Sequence, residues 1–310
     1  MREIGGYIEI EHYQGREFHN GIALNSGRNC LKYLIRAKKI NKIIIPDWCC
    51  SSIEKVCKEE KVCVSKYHVE SLFQPYNKEL PSDEVYIYII NYYGQMDISY
   101  INRLWALHRN IIIDNAQAFF LKPINGVDTI YTCRKYFGVA DGAYLYTDCI
   151  LEEKLIRDQS YDRMKYLLGR YESGANKYFD LYQKCEEQLE TRPLMNMSKL
   201  TQNILKSIDY EYVKNSRTSN FKVLHNKLGK KNEMKIKLVE GAYMYPYQVH
   251  YAQELRRKLI QKKIYIPVLW QGIDSTYGEK IISLPCDQRY KKGDMEYVIN
   301  TINKLEELLT

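Results

Sequence analysis

The chain has 310 residues, 45% of them hydrophobic and 27% charged. That is enough to bury one large core, or a large and a small one, and no window approaches the about 18 consecutive apolar residues of a membrane span. The formal charge is +8, carried by basic runs at 36–42, 227–237 and 256–263 in a chain with 29 tyrosines. Basic grooves interleaved with aromatics bind single-stranded nucleic acid. Here the runs are dispersed and no nucleic-acid motif accompanies them, so no nucleic-acid partner is expected. A mildly basic surface equally suits a phosphorylated or nucleotide-linked substrate. The N-terminal MREIGGYIEIEHYQG spreads charges through its length and lacks an apolar core, so no signal peptide is expected, and a cytoplasmic, membrane-free protein is. The nine cysteines form no CxxC pair, which predicts reduced thiols and neither disulfides nor a metal site.

Strand and helix signals alternate through the first half. GIALNS (21–26) reads as a strand broken by Ser26-Gly27, and RNCLKYLIRAKK (28–39) follows with apolar residues at helical spacing. KIIIP (42–46) is the next strand, ended by Pro46. SSIEKVCKEE (51–60) is a helix capped by Ser51 or Ser52. VYIYIIN (85–91) is a strand and SYINRLWALHR (99–109) a helix. NIIID (110–114), DTIYT (128–132) and AYLYTD (143–148) complete the strands. Strands separated by helices predict a mainly parallel sheet with helices on both faces. From about residue 150 the charge density rises, and 151–172 and 197–228 read as helices. After the polar loop 229–235 the spacing predicts a strand in AYMYPYQVHY, a helix over 252–263, a strand over 264–270 and a closing amphipathic helix. The expected organisation is a large α/β domain with a helical connection over 1–228 and a small α/β domain over 229–310.

No G-x-G-x-x-G, P-loop, G-x-S-x-G or H-E-x-x-H occurs, which removes the common dinucleotide, nucleotide, serine-hydrolase and zinc-hydrolase signatures. Three features remain. Ser26-Gly27 opens a helix whose free N–H groups suit an anion. Asp114 ends a buried strand, at the edge where open α/β sheets collect ligands. Lys135 lies in YTCRKYFGVADGAYLY, an aromatic, glycine-containing loop that would desolvate its amine and make it a better nucleophile. Taken together they match what pyridoxal phosphate requires: a lysine for covalent attachment, a carboxylate for the pyridine nitrogen and a cradle for the phosphate.

At this point IIIDNAQAFF, followed 21 residues after Asp114 by the lysine of RKYFGVADGAYLYTD, resembles the DegT-type (DegT/DnrJ/EryC/StrS) sugar aminotransferases. Weaker matches run in order along the chain: FHNGIALNSGRNCLKYLI, KIIIPDWCCSSI, NMSKLTQNIL, KKIYIPVLW and SLPCDQRYKKGDMEYVINTI. The resemblance implies a fold-type-I pyridoxal-phosphate enzyme of amino-sugar and surface-polysaccharide biosynthesis, working through pyridoxamine phosphate. An amino acid, glutamate for preference, would donate the amine to a nucleotide-linked keto-deoxysugar, and the enzyme would be a homodimer. Lys135 would hold the cofactor and shuttle a proton. Asp114 would pair with the pyridinium nitrogen and Gln117 would approach the ring's 3′ oxygen. Ser26, Gly27, Arg28 and Thr132 would receive the phosphate, with Arg28 standing where the family has threonine. The family's ring-stacking aromatic is replaced by Cys50, leaving Trp48 or Tyr93 for that role. Asn196 is displaced from the position of the asparagine that a partner subunit lends. His19, Arg163 and Trp270 lie in segments expected to approach the substrate. The alternative is a non-catalytic DegT-like protein that binds pyridoxal phosphate or a sugar nucleotide. A dehydratase is disfavoured because relatives of that kind replace the lysine with histidine.

Overall fold

The computed structural model describes residues 4–76, 80–81, 84–270, 277 and 279–309. Seven of its strands form one sheet: β1 (Ile22–Leu24), β2 (Lys42–Pro46), β3 (Cys63–Tyr67), β4 (Tyr86–Ile90), β5 (Ile111–Asp114), β6 (Asp128–Thr132) and β7 (Ala143–Tyr146). The spatial order is β1-β7-β6-β5-β4-β2-β3. The pairs β2–β3, β2–β4, β4–β5 and β5–β6 are parallel. Only β7 runs the other way, antiparallel to both β6 and β1. The apolar runs Ile43–Ile45, Ile87–Ile90 and Ile111–Ile113 are buried throughout, as expected of parallel strands covered on both faces.

The helices α1 (Gly27–Ala37), α2 (Ser51–Glu59) and α3 (Ile98–Leu107) connect these strands. Ser26 caps α1 by accepting from the Asn29 N–H, and Cys30, Leu31, Leu34 and Ile35 turn its apolar stripe inward. Asp97 caps α3 through the Tyr100 N–H at 2.8 Å. Such side-chain acceptors satisfy donors that a helix start leaves free.

Past the sheet come α4 (Lys165–Ser173), α5 (Phe179–Thr191), α6 (Lys199–Lys206) and the long α7 (Tyr210–Leu228). The strands β8 (Met244–Gln248) and β9 (Ile281–Pro285) then pair antiparallel, flanked by α8 (Ala252–Gln261) and α9 (Lys292–Glu306). Phe221, Leu224 and Leu228 of α7 pack in one cluster with Tyr245, Leu255, Leu284 and Ile302, while Val213 of the same helix packs with Phe119, Tyr136 and Phe137 beneath the large sheet. Helix α7 therefore contributes to both cores. Among the described residues no helix is long and apolar enough to cross a membrane, and all nine cysteines are unpaired.

Three local expectations change. β3 was not expected; its sequence CVSKY is mostly exposed at the sheet edge, so it lacks the apolar periodicity that announces a strand. The strand expected over 264–270 is irregular, with Ile264 and Ile266 buried. Pro267 cannot donate to a ladder, Trp270 has a left-handed φ of 56°, and Ile281–Pro285 takes the place beside β8. The helix expected over 151–172 forms only from Lys165. Upstream, the Asp158 N–H donates to the Asn196 carbonyl and the Asn196 N–H to the Ile156 carbonyl, both at 2.9 Å, so that backbone is satisfied laterally.

Candidate active site

Because β7 reverses, the connection from β6 to β7 needs no crossover helix and stays at the carboxyl edge of the sheet. That loop carries Lys135. The ends of β1, β2, β4 and β5 reach the same edge and deliver Ser26, Gly27 and Arg28; Trp48 and Cys50; Tyr93; and Asp114 and Gln117. Thus the parallel topology gathers ten of the sequence-predicted residues, these nine together with Thr132, on one rim with Lys135 among them.

The approach of β1–α1 to β6 is close. A Cβ on Gly27 would lie 2.7 Å from Thr132 Cγ2, so glycine there lets the start of α1 reach the strand end. Arg28, one residue into α1, has a buried Nη1 without a hydrogen-bond partner among the described residues. An unpaired guanidinium N–H on the first turn of a helix is chemistry that suits an anion.

Asp114 sits opposite Ile90 in the parallel register. Its Oδ1 accepts from the Ala116 N–H and its Oδ2 from the Tyr88 hydroxyl, each at 2.8 Å. Burial and the Asp114 charge push the neighbouring Cys30 thiol well above its usual range. Gln117 is 1% exposed. Its Oε1 accepts from the Tyr93 N–H at 2.8 Å, while its Nε2 has no partner among the described residues. Tyr93 reaches this position through a left-handed φ of 52°, a conformation costly for a side-chain-bearing residue and concentrated at functional sites. Its hydroxyl meets Ser283 Oγ of β9 at 2.7 Å.

Lys135 is exposed rather than desolvated, which corrects the expectation from its aromatic neighbours. Tyr136 and Phe137 turn their rings into the core and leave the amine outside, 5.8 Å from the Tyr243 ring centroid. The loop itself is firmly held. The Cys133 N–H donates to the Gly142 carbonyl at 3.0 Å and the Gly142 N–H to the Asn25 carbonyl at 2.8 Å. Gly142 has φ +114°, open to glycine and strained for other residues. The fully buried Asp141 accepts from the Ser198 N–H at 2.8 Å, from Ser198 Oγ at 2.7 Å and from the Thr201 hydroxyl. Arg134 pairs with Glu186 of α5.

Thr132 Oγ1 donates to the Ala116 carbonyl at 3.4 Å, and Cys50 precedes α2, accepting from Ser52 Oγ. Trp48 is buried and stacks on Tyr92 at 5.0 Å and Phe73 at 5.8 Å, with Trp270 edge-on at 4.7 Å. Its indole Nε1 has no hydrogen-bond partner among the described residues. Trp270 thus joins the rim through Trp48.

Three further predicted residues are held by partners within the chain. His19 is buried, with Nε2 2.8 Å from the Phe119 carbonyl and its ring 4.0 Å from that of Tyr131; burial lowers its pKa to about 4. Arg163 is buried against Asp158 at 2.9 Å. Asn196 donates its amide to the Leu155 carbonyl at 3.0 Å and its backbone bridges to Leu24 and Arg157. Sequence reasoning missed Tyr88, Asp141, Glu186 and Tyr243. Strand alternation puts Tyr88 and Ile90 on one face, a usable signal for the first; Glu186 and Tyr243 arrive from distant segments and leave none.

No protein-family profile and no curated protein sequence matches the chain. Solved structures do. A DegT DnrJ EryC1 StrS aminotransferase from Brucella abortus superposes with a TM-score of 0.62 at 12% identity, covering 93% of this chain and 86% of that one. Spr1654 from Streptococcus pneumoniae, in its PMP form, gives 0.66 at 12% identity over 96% and 90%. The sugar aminotransferase CalS13 from Micromonospora echinospora gives 0.61 at 11% identity over 91% and 86%. At these identities the likeness is one of fold, and the chain has the fold-type-I architecture of these aminotransferases.

Proposed function

We propose that the chain is a pyridoxal-phosphate-dependent aminotransferase that moves an amino group from an amino acid, glutamate for preference, to a nucleotide-linked keto-deoxysugar. Its setting would be amino-sugar or surface-polysaccharide biosynthesis. The observation that carries the reading is the set of unmatched polar atoms on one sheet rim. Among the described residues, Arg28 Nη1 and Gln117 Nε2 are buried donors without acceptors, and Asp114 has two donors but no cation. A phosphate, a ring oxygen and a protonated ring nitrogen would complete all three, so these residues fit the cofactor. The PMP form of the Streptococcus pneumoniae protein and the printed activities of the Brucella and Micromonospora proteins support the same reading.

Pyridoxal phosphate supplies, when bound, an aldehyde that captures amines and a protonated ring that draws electrons from the substrate carbon. Asp114 would hold the proton on the ring nitrogen. Gln117, fixed by the Tyr93 N–H, would donate from Nε2 to the ring oxygen. Arg28 and the first N–H groups of α1 would neutralise the phosphate. Lys135 Nζ would attach the cofactor and, once displaced by the incoming amine, take a proton from the substrate carbon and return it. The exposure of Lys135 leaves this amine open to both partners.

The test is direct. Purified protein incubated with pyridoxal phosphate should develop visible absorbance, and borohydride should fix the cofactor to Lys135. Lys135→Ala should stay colourless and unlabelled. A wild-type chain that never takes up the cofactor sinks the proposal. A panel of nucleotide-linked keto-sugars with glutamate as donor identifies the substrate, and sedimentation tests the homodimer. One observation favours a non-catalytic binding protein: Trp48 is already committed to Tyr92, Phe73 and Trp270, and Cys50 occupies the expected stacking position. Conversion of the donor to its keto acid separates that reading from the aminotransferase.

A further inference from the structure

Tyr88 stands outside the roles assigned above. It lies on β4 among isoleucines, two residues before Ile90, and Ile90 is the register partner of Asp114. Side chains two apart on a strand share a face, so the phenol can reach the carboxylate. Its hydroxyl donates to Asp114 Oδ2 at 2.8 Å while the Ala116 N–H donates to Oδ1 at 2.8 Å. Tyr88 is 3% exposed, and burial together with the Asp114 charge pushes its phenol well above the usual range, so it remains a donor. Carrying a hydroxyl into a sheet interior is unfavourable unless it finds a partner. A phenylalanine would pack there without that cost. One donor on each oxygen, from two different elements, fixes the plane of the carboxylate and leaves each oxygen a lone pair for a third donor.

We propose that Tyr88 is a positioning residue: by holding Oδ2 it sets the rotation of the Asp114 carboxylate toward the ring nitrogen of the cofactor. The inference rests on the pyridoxal-phosphate reading above. Its consequence is that Tyr88 acts only through Asp114.

The experiment is a double-mutant cycle of Tyr88→Phe and Asp114→Asn, read by pyridoxal-phosphate affinity and by the nitrogen-15 shift of ring-labelled cofactor on the protein. Tyr88→Phe alone should bind about tenfold more weakly and move the ring-nitrogen signal toward the unprotonated position. In the Asp114→Asn background the same change should add nothing. Equal losses in both backgrounds would mean a packing role and overturn the inference, as would an affinity and shift matching wild type or a signal moved further toward the protonated position. Cofactor fixed at Lys135 by borohydride in Tyr88→Phe verifies that the site has folded; a variant that does not fold, while Asp114→Asn/Tyr88→Phe does, still supports a role through Asp114. A wild-type chain that binds no pyridoxal phosphate overturns this inference and the proposed function together, whereas normal wild-type binding with an indifferent Tyr88→Phe overturns this inference alone.

Discussion

The unit built on β8 and β9 and the carboxyl rim of the large sheet both bury polar side chains, and they treat them differently. In the first, Arg217 is 1% exposed and spends its guanidinium on Gln288 Oε1 and on the carbonyls of Ala242, Tyr243 and Tyr136. Asn220 donates to the carbonyls of Cys286, Asp287 and Tyr290, and Asn232 both donates to the Pro246 carbonyl and accepts from the Gln248 N–H. On the rim, Arg28, Trp48, Gln117 and Arg134 each retain a buried N–H without a partner among the described residues. Buried polar groups are nearly always hydrogen-bonded, and exceptions call for an explanation. The satisfied set holds segments together; the unsatisfied set leaves donors free on one rim, as the proposed cofactor would need. Among the described residues the Tyr100 and Tyr136 hydroxyls, two nitrogens of Arg163 and, within the β8–β9 unit itself, His225 Nδ1 are also unmatched, so what sets the rim apart is the clustering of orphans at strand ends.

The comparison can be broken most sharply at Asp114. Asp114→Asn should lower turnover on the order of 10²- to 10³-fold, because a fixed charge aimed at developing charge is worth that much, while the melting temperature changes little. Loss of fold instead would place Asp114 among the structural polar groups. Leu284→Ala, in the satisfied unit, should do the reverse. It removes a fully buried side chain and should cost ~3 kcal/mol in denaturant unfolding, with cofactor affinity near wild type in the folded fraction.

His19 sharpens the contrast through pH. Its folded pKa of about 4 lies below the unfolded value of 6.5. Between those values the unfolded chain binds the extra proton, so stability is full above pH 6.5 and falls as pH drops toward 4. The expected loss is on the order of 2–3 kcal/mol, measured by urea unfolding across that window, and His19→Gln should flatten it. The smallest effect is expected at Arg28. Arg28→Ala should weaken pyridoxal-phosphate binding about tenfold, one charge-assisted hydrogen bond, and change thermal stability little, because the buried Nη1 holds no hydrogen-bond partner among the described residues.

Much of this was legible before the fold was known. The runs KIIIP, YIYII and IIID announce buried parallel strands because both their faces must be apolar. Ser26-Gly27, Asp114 and Lys135 stand out because their chemistry is awkward in those places. Where reading failed, the cause was lateral. β3 is polar and exposed, and takes its shape from β2 alone. Residues 264–270 look strand-like by composition, yet the β8 edge belongs to Ile281–Pro285. Packing also turns His19 and Arg163 inward, a burial that their local sequence does not announce.

The sequence by itself determined the alternation of strands and helices and the residue types of the rim, since both follow from local periodicity and from side-chain chemistry. Tertiary structure alone decided that β7 reverses, which keeps Lys135 on the same edge as Asp114, that Tyr88 faces the Asp114 carboxylate across the β4–β5 register, and that the lysine amine stays exposed. Those outcomes depend on strand order and register, which join residues distant along the chain and so have no signature in any local stretch of it.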